Sequence, residues 1–310
     1  MLRSIRSETF NRQEDSMKKI YMILIAAACV LVSCGQDKLS DESIFKDTEV
    51  EKTDFDRWLD RNYVEPYNIR FEYRMPDNET GFSYWVTPPD VNKSIMVAKT
   101  LRHLTLECMV EMMATDDEDK DPSLFVKTYF PRVLFLVGCY HISNTGTVAL
   151  ASAENGLQIN ILGVNFFDDP QEDGVQIAGT MIHEFMHILH AAVQVPVEFH
   201  SITESKYVGS RYTSLGGDYH THGFVNNYAR SSIGEDVAVT GAALVCESPE
   251  TWESWYAKGG EEGGAILRKK HDLLKKWLYD SFGVDTDRWR EVYVRRISEI
   301  NSIDLTTLED

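Results

Sequence analysis

Between Ile177 and Ala192 the apolar positions Ile177, Ala178, Met181, Ile182, Phe185, Met186, Ile188, Leu189, Ala191 and Ala192 cover nearly every side of a helical wheel. This pattern predicts a helix buried in a core. Upstream, Thr53 to Leu59 reads as a short capped helix. Within Pro66 to Arg74, the residues Ile69, Phe71 and Tyr73 alternate with Arg70, Glu72 and Arg74, the signature of a half-buried strand. Val91 to Ala114 carries apolar residues at helical spacing, with His103 and Cys108 placed as packing residues. Val133 to Val137 is a short apolar run of the central-strand kind. Two further strands, Thr147 to Ala153 and Leu157 to Leu162, are joined through Asn155-Gly156, a strong hairpin signal. Beyond the buried helix come an apolar helix from Ile233 to Cys246 and two amphipathic ones, Ala265 to Phe282 and Thr286 to Ile300. These elements predict an α+β fold: a small mixed or antiparallel sheet packed on the central helix, and a mainly helical C-terminal part. The edge of such a sheet would border a cleft, where an extended peptide can add by backbone pairing.

The chain opens differently. Met17-Lys18-Lys19 precedes an apolar run from Ile20 to Val32, too short to span a bilayer comfortably, and then Ser33-Cys34-Gly35. This reads as a secretory signal peptide whose start is Met17. Leu31-Val32-Ser33-Cys34 resembles the lipobox of bacterial lipoproteins, which implies cleavage before Cys34 and lipid attachment to its thiol. The organisation expected is therefore a signal peptide over 1–33, lipidated Cys34 and a polar flexible tether over 34–53, and one folded domain over 54–310. Such a protein would sit on the outer membrane, on the periplasmic side or at the cell surface. The full chain has 31 Lys+Arg against 49 Asp+Glu, a net charge of −18, and loss of residues 1–33 makes the body more negative still. That balance argues against nucleic acid as a partner. Cys108, Cys139 and Cys246 remain after Cys34, which allows at most one disulfide and no disulfide framework.

The chemistry is concentrated in His183-Glu184-Phe185-Met186-His187, an H-E-x-x-H pattern. Histidines four apart share one helical face and can point at a single zinc ion. Glu184 stands beside the first of them, placed to activate a zinc-bound water for attack. A catalytic zinc needs a third protein ligand. His190 lies about 10 Å along the same helix from His183 and cannot complete the set; it is a packing or supporting residue. The longer metzincin pattern would need glycine at 190 and histidine at 193, where this chain has His190 and Val193. Glu235, at the start of the next apolar helix, is the best candidate. Ser232-Ile233-Gly234-Glu235 also fits a capping box in which Glu235 only satisfies backbone donors, and the residues alone leave the two readings near even. Asp236 is an alternative ligand, or a partner that orients His183 or His187. His220-Thr221-His222 is a weaker candidate for a second metal.

Glu184 between its histidines, with Tyr228 seven residues before Glu235, resembles the gluzincin arrangement of anthrax lethal factor and its relatives. More closely, the chain resembles a family of zinc metallopeptidase lipoproteins found beside TonB-dependent nutrient importers in Gram-negative bacteria. The matching pieces are the lipobox, Pro66-Tyr67-Asn68-Ile69-Arg70, the H-E-x-x-H segment, Phe224-Val225-Asn226-Asn227-Tyr228-Ala229 and Glu235-Asp236-Val237-Ala238. One position departs: the family pattern is acidic where this chain has Val239. The resemblance implies a zincin-like fold, His183, His187 and Glu235 as zinc ligands, Glu184 as the base, and Tyr228 as donor to the oxyanion. It also implies a peptide or protein substrate and an importer complex as partner. Two other functions fit the same residues, hydrolysis of a non-peptide amide and a non-catalytic accessory binding lipoprotein of an import system.

Overall fold

The computed structural model describes residues 51–75, 86–117, 119–142, 148–154 and 156–309. The expected leader, Cys34 and nearly all of the expected tether lie outside these residues, as do Thr147 and Asn155. Among the described residues no helix is long and apolar enough to cross a membrane.

Helix α1 (Asp54–Leu59) starts at a reciprocal cap. Thr53 Oγ1 accepts from the Asp56 N–H at 3.1 Å, and Asp56 Oδ2 accepts from the Thr53 N–H at 2.7 Å. The expected strand from Pro66 is shorter than the alternation suggests. Pro66 and Tyr67 belong to a helical turn, Glu65–Tyr67, closed by Asn68 in the left-handed region (φ 56°), and β1 covers only Arg70–Glu72. That turn is the end of a helical run that continues from α1 through the wider turn Asp60–Val64, so Pro66 stands near its C-terminus. The alternation itself holds, with Ile69, Phe71 and Tyr73 buried.

Helix α2 (Val91–Leu101) continues through a wide turn, Arg102–Leu106, into α3 (Glu107–Met113), and α4 is Leu124–Tyr129. His103 and Cys108 are both buried there, and His103 Nε2 lies 2.9 Å from the Arg296 carbonyl. The strands that follow are β2 (Val133–Leu136), β3 (His141–Ile142), β4 (Val148–Ala149), β5 (Ala151–Glu154) and β6 (Gln158–Ile161). The main sheet runs β1-β2-β6-β5. β1, β2 and β6 are parallel, with Phe71 opposite Leu134 and Leu134 opposite Ile159, while β5 pairs antiparallel to β6 as the edge strand. β3 and β4 form a separate ribbon, so the run expected as one strand breaks at Leu150. Leu134, Leu136, Ile159 and Ile161 face the main core, and Phe135, Val137 and Leu162 pack on the other face.

Helix α5 (Glu172–Ala192) lies on this sheet along β5. Its buried side presents Ala178, Met181, Ile182, Phe185, Met186 and Leu189, with Phe185 edge-on to Phe125 at 5.6 Å. The helix is not enclosed all round, as the sequence pattern suggests. Gln176 is exposed and Thr180, His183, Glu184 and His187 are half-buried, so one stripe faces a cleft. α6 (Val197–Thr203) leads into a run of short turns, and then α7 (Ile233–Cys246) follows with the bounds its apolar run predicts. α8 (Pro249–Phe282) begins well before the expected Ala265, and reverses locally at Gly260 (φ 66°, ψ −159°); α9 is Thr286–Glu299.

α5 and α7 pack tightly where Gly241 meets Met186. A β-carbon at 241 would fall 2.9 Å from Met186 Sδ and 3.0 Å from its Cγ, in a fully buried contact. Overpacking of this kind costs about 1–3 kcal/mol. Gly241→Leu is therefore expected to lower the melting temperature by several degrees, with the loss read by thermal denaturation; an unchanged midpoint would mean that the helices part without cost.

Candidate metal centre

His183 and His187 stand one turn apart on the open stripe of α5, with their rings nearly perpendicular and centroids 4.8 Å apart. The two Nε2 atoms are separated by 3.2 Å. Glu235 comes from the first turn of α7, and its Oε2 lies 3.3 Å from each Nε2. Three donor atoms thus form a nearly equilateral triangle. Around a tetrahedral ion with bonds of about 2.0–2.1 Å, donors stand roughly 3.3–3.4 Å apart. The chemistry of the set fits as well as its size: two imidazoles and one carboxylate are a familiar zinc donor set with room for a further ligand. Among the described residues these three are the one group of His, Cys, Asp and Glu side chains arranged to hold a metal.

Glu235 resolves the capping question. Ser232 Oγ accepts from the Glu235 backbone N–H at 3.2 Å, so the serine caps the helix. The Glu235 carboxylate does not reach back to complete a box; it points at the histidines. Its Oε2 is buried and has no hydrogen-bond partner in line with it, a costly state for a carboxylate oxygen unless a cation completes it. Burial alone would raise this carboxyl, but the His183 and His187 rings outweigh it and hold the group well below the usual carboxylate range. His187 shows the reverse balance, with burial lowering and Glu235 raising its affinity for a proton, and the net effect is upward. An ionised carboxylate at neutral pH is the form a metal requires.

Glu184 is half-buried beside these groups, close enough for its charge to act on both His187 and Tyr228. Tyr228 lies on a short turn, Tyr228–Arg230, rather than on α7. Its ring centroid is 6.1 Å from that of His183, Tyr212 packs edge-on against it at 5.3 Å, and the ring is 40% exposed. Burial, followed by the charge of the nearby Glu235 carboxylate, pushes the proton affinity of the phenol well up, so it stays a donor. His183 and His187 side chains are 17% and 27% exposed, which leaves the centre reachable from the cleft.

Asp236 takes neither of the roles open to it from the sequence. It is fully buried on the other side of α7, where Oδ2 pairs with Lys270 Nζ at 2.5 Å and accepts from the Tyr207 hydroxyl at 2.8 Å, and Oδ1 accepts from Thr240 at 3.2 Å. The Lys270 ammonium also sits over the Phe224 ring at 4.1 Å. This buried cluster is the part of the site that the sequence reading misses. Its signal is present: Lys270 falls between Leu267 and Leu274 at core spacing, where a lone lysine needs a buried partner. His190 packs edge-on to Trp277 at 6.5 Å. His220 and His222 do not converge on a metal, because His220 Nδ1 faces the Phe224 carbonyl at 3.2 Å and His222 Nε2 faces Asp218 at 3.2 Å. Val239, one turn after Glu235, is packed against the core. Cys108, Cys139 and Cys246 are free thiols.

A helix carrying H-E-x-x-H, joined by a glutamate from the next long helix, is a donor set that could hold one metal ion. The family model for "putative zinc-binding metallo-peptidase" matches residues 48–287, and the chain belongs to that family. A solved structure similar to it is the crystal structure of a putative zinc-binding metallo-peptidase from Bacteroides caccae ATCC 43185. That protein is 32% identical, the match covers 86% of this chain and 100% of the other, and the TM-score is 0.69. No curated protein matches the chain.

Proposed function

We propose that this chain is a zinc-dependent peptidase of the gluzincin type, held on the outer membrane by lipid on Cys34. The observation that carries the reading is the triangle of His183 Nε2, His187 Nε2 and Glu235 Oε2, with edges of 3.2 to 3.3 Å and one buried oxygen lacking a hydrogen bond. Those three residues would hold the ion, which when bound supplies a Lewis acid beside the scissile carbonyl. Glu184 takes the proton from the attacking water and passes it to the leaving amine. Tyr228, kept protonated, donates its hydroxyl to the oxyanion as negative charge develops there. Edge strand β5 offers backbone groups to an extended substrate along α5. A leader ending at Ser33 and a tether over 34–53 supply the anchor, and the resemblance set out from the sequence supports a place beside a TonB-dependent importer.

The test is hydrolysis of casein and of internally quenched peptides by the purified protein, before and after treatment with a zinc chelator. Activity should fall to background on chelation and return with about one equivalent of zinc. Tyr228→Phe should keep zinc and lose on the order of 10²-fold in kcat. Retained zinc with no peptide cleaved would overturn the peptidase reading in favour of a non-peptide amide or of binding without turnover.

A further inference from the structure

The Tyr228 ring rests against a segment that plays no part in the chemistry above. The backbone beneath the ring is fixed locally. Ala229 donates its N–H to Asn226 Oδ1 at 2.9 Å, and the N–H and hydroxyl of Ser231 both donate to the Tyr228 carbonyl, at 2.9 and 2.8 Å. The ring itself is 40% exposed and is not seated in a core, so its side-chain torsions depend on the rings that stand against it. Two aromatic neighbours do so: His183, tilted by 31° at 6.1 Å, and Tyr212, edge-on at 62° and 5.3 Å. His183 belongs to the donor triangle; Tyr212 comes from outside it.

Tyr212 lies on a short helical turn, Gly209–Ser214, whose form serves no core. Of residues 208–215 only Val208 and Tyr212 are half-buried, and the others are exposed. The turn is held by bonds of its own, from the Ser214 hydroxyl to the Arg211 carbonyl at 2.9 Å and from the Leu215 N–H to the Tyr212 carbonyl at 3.4 Å. Two further bonds tie it to the turn that carries Tyr228. The Val208 N–H donates to the Arg230 carbonyl at 2.8 Å, and Asn227 Nδ2 donates to the Leu215 carbonyl at 3.1 Å. The first tie precedes Tyr212 and follows Tyr228, and the second follows Tyr212 and precedes Tyr228. The two segments therefore run in opposite directions, and the two tyrosines meet between the ties.

From this we infer that Tyr212 is a positioning residue: the edge of its ring holds the Tyr228 ring beside His183, where the phenol serves the developing oxyanion. The inference rests on the peptidase reading and deepens it, by giving the oxyanion donor a support outside the two helices that supply the metal ligands. An edge-on aromatic pair biases the orientation of a ring by roughly 2- to 10-fold. A misplacement of about 1 Å at a reacting centre can cost on the order of 10²-fold, so even a partial loss of this support reaches the rate. Because the contact is one of rings, phenylalanine at 212 should serve as well as tyrosine.

The experiment joins kinetics on an internally quenched peptide to fluorine NMR of the zinc-loaded protein carrying 3-fluorotyrosine, with the Tyr228 signal assigned by its loss in Tyr228→Phe. Tyr212→Ala should lower kcat by about 3- to 10-fold with KM within about twofold of wild type, and Tyr212→Phe should restore it. In the Tyr228→Phe background, Tyr212→Ala should cost less than about twofold more, since the hydroxyl it places is gone. The Tyr228 fluorine signal should sharpen and move toward that of free 3-fluorotyrosine in Tyr212→Ala, and stay in place in Tyr212→Phe. Thr213→Ala, at an exposed position of the same turn, should change neither rate nor signal. The inference is overturned by a Tyr228 signal that Tyr212→Ala leaves in place, by cleavage with kcat unchanged in that variant, or by a loss of equal size without the Tyr228 hydroxyl, which would make Tyr212 a substrate contact in its own right. If wild type cleaves no peptide, the peptidase falls and the fluorine signal alone decides whether Tyr212 places the ring.

Discussion

Glu235→Ala should leave a folded protein that no longer retains zinc, and Glu184→Gln should leave one that retains zinc and no longer turns over. The contrast follows from where the two carboxylates sit. Glu235 Oε2 is 3.3 Å from both histidine Nε2 atoms and closes the donor triangle. With two imidazoles left, the site lacks the ligand count of a protein zinc centre. Changes to groups that merely support ligands cost 10–100-fold in affinity, so loss of a ligand should cost at least ~100-fold. The fold should survive, because the Ser232 hydroxyl that caps α7 binds the backbone N–H of residue 235, which alanine also has. Glu184 stands next to the first histidine without belonging to the triangle. Its replacement by glutamine keeps shape and removes the base, a loss of about 10²- to 10⁴-fold in kcat. Zinc content by mass spectrometry, read beside peptide hydrolysis, separates the two. Zinc retained at wild-type affinity by Glu235→Ala would remove Glu235 from the ligand set.

How far the sequence reaches depends on the range of the interaction that decides each feature. His183 and His187 are four residues apart, and helical geometry alone brings their rings together. The bounds of α7 were legible for the same reason: Ser232 is a local cap and Ile233 to Cys246 a continuous apolar run. The hairpin of β5 and β6 is local too, with Gly156 at φ 71° supplying the turn. Sheet order was not legible, since β1 and β2 are separated by helices α2, α3 and α4 and their parallel pairing depends on what packs between them. Pro66 and Tyr67 read as strand because the alternation from Ile69 extends backward in the sequence, whereas these two residues close the helical run that begins at Asp54. Glu235 stayed undecided between cap and ligand because both readings use one residue in one place. Only the packing of α7 on α5, with Gly241 against Met186, shows that the serine does the capping while the carboxylate faces the histidines.

Lys270→Met is expected to lower the melting temperature by roughly 6–20 °C and to weaken zinc binding without touching a ligand. Lys270 and Asp236 are both fully buried, with Nζ and Oδ2 at 2.5 Å. Burial disfavours the charged form of each, raising the Asp236 carboxyl and lowering the Lys270 ammonium against their mutual attraction. Removing one partner strands the other, at about 3–5 kcal/mol, and each kcal/mol moves the midpoint of a domain this size by about 2–4 °C. The second effect comes from sequence adjacency. Asp236 follows Glu235 directly, and its bonds to Lys270 on α8, to Tyr207 and to Thr240 fix the rotation of the first turn of α7. Freed from that anchor, Glu235 should meet the histidines less often, for a loss of about 10- to 100-fold in zinc affinity. Denaturation is best followed in chelator, so that metal binding does not add to the shift. Asp236→Asn with Lys270→Met replaces the charged pair by neutral groups of similar size and should recover much of the midpoint. If the zinc affinity recovers less than the midpoint, the ion pair orients Glu235 as well as stabilising the fold; if Lys270→Met leaves the affinity unchanged, the first turn of α7 is held by its packing on α5 alone.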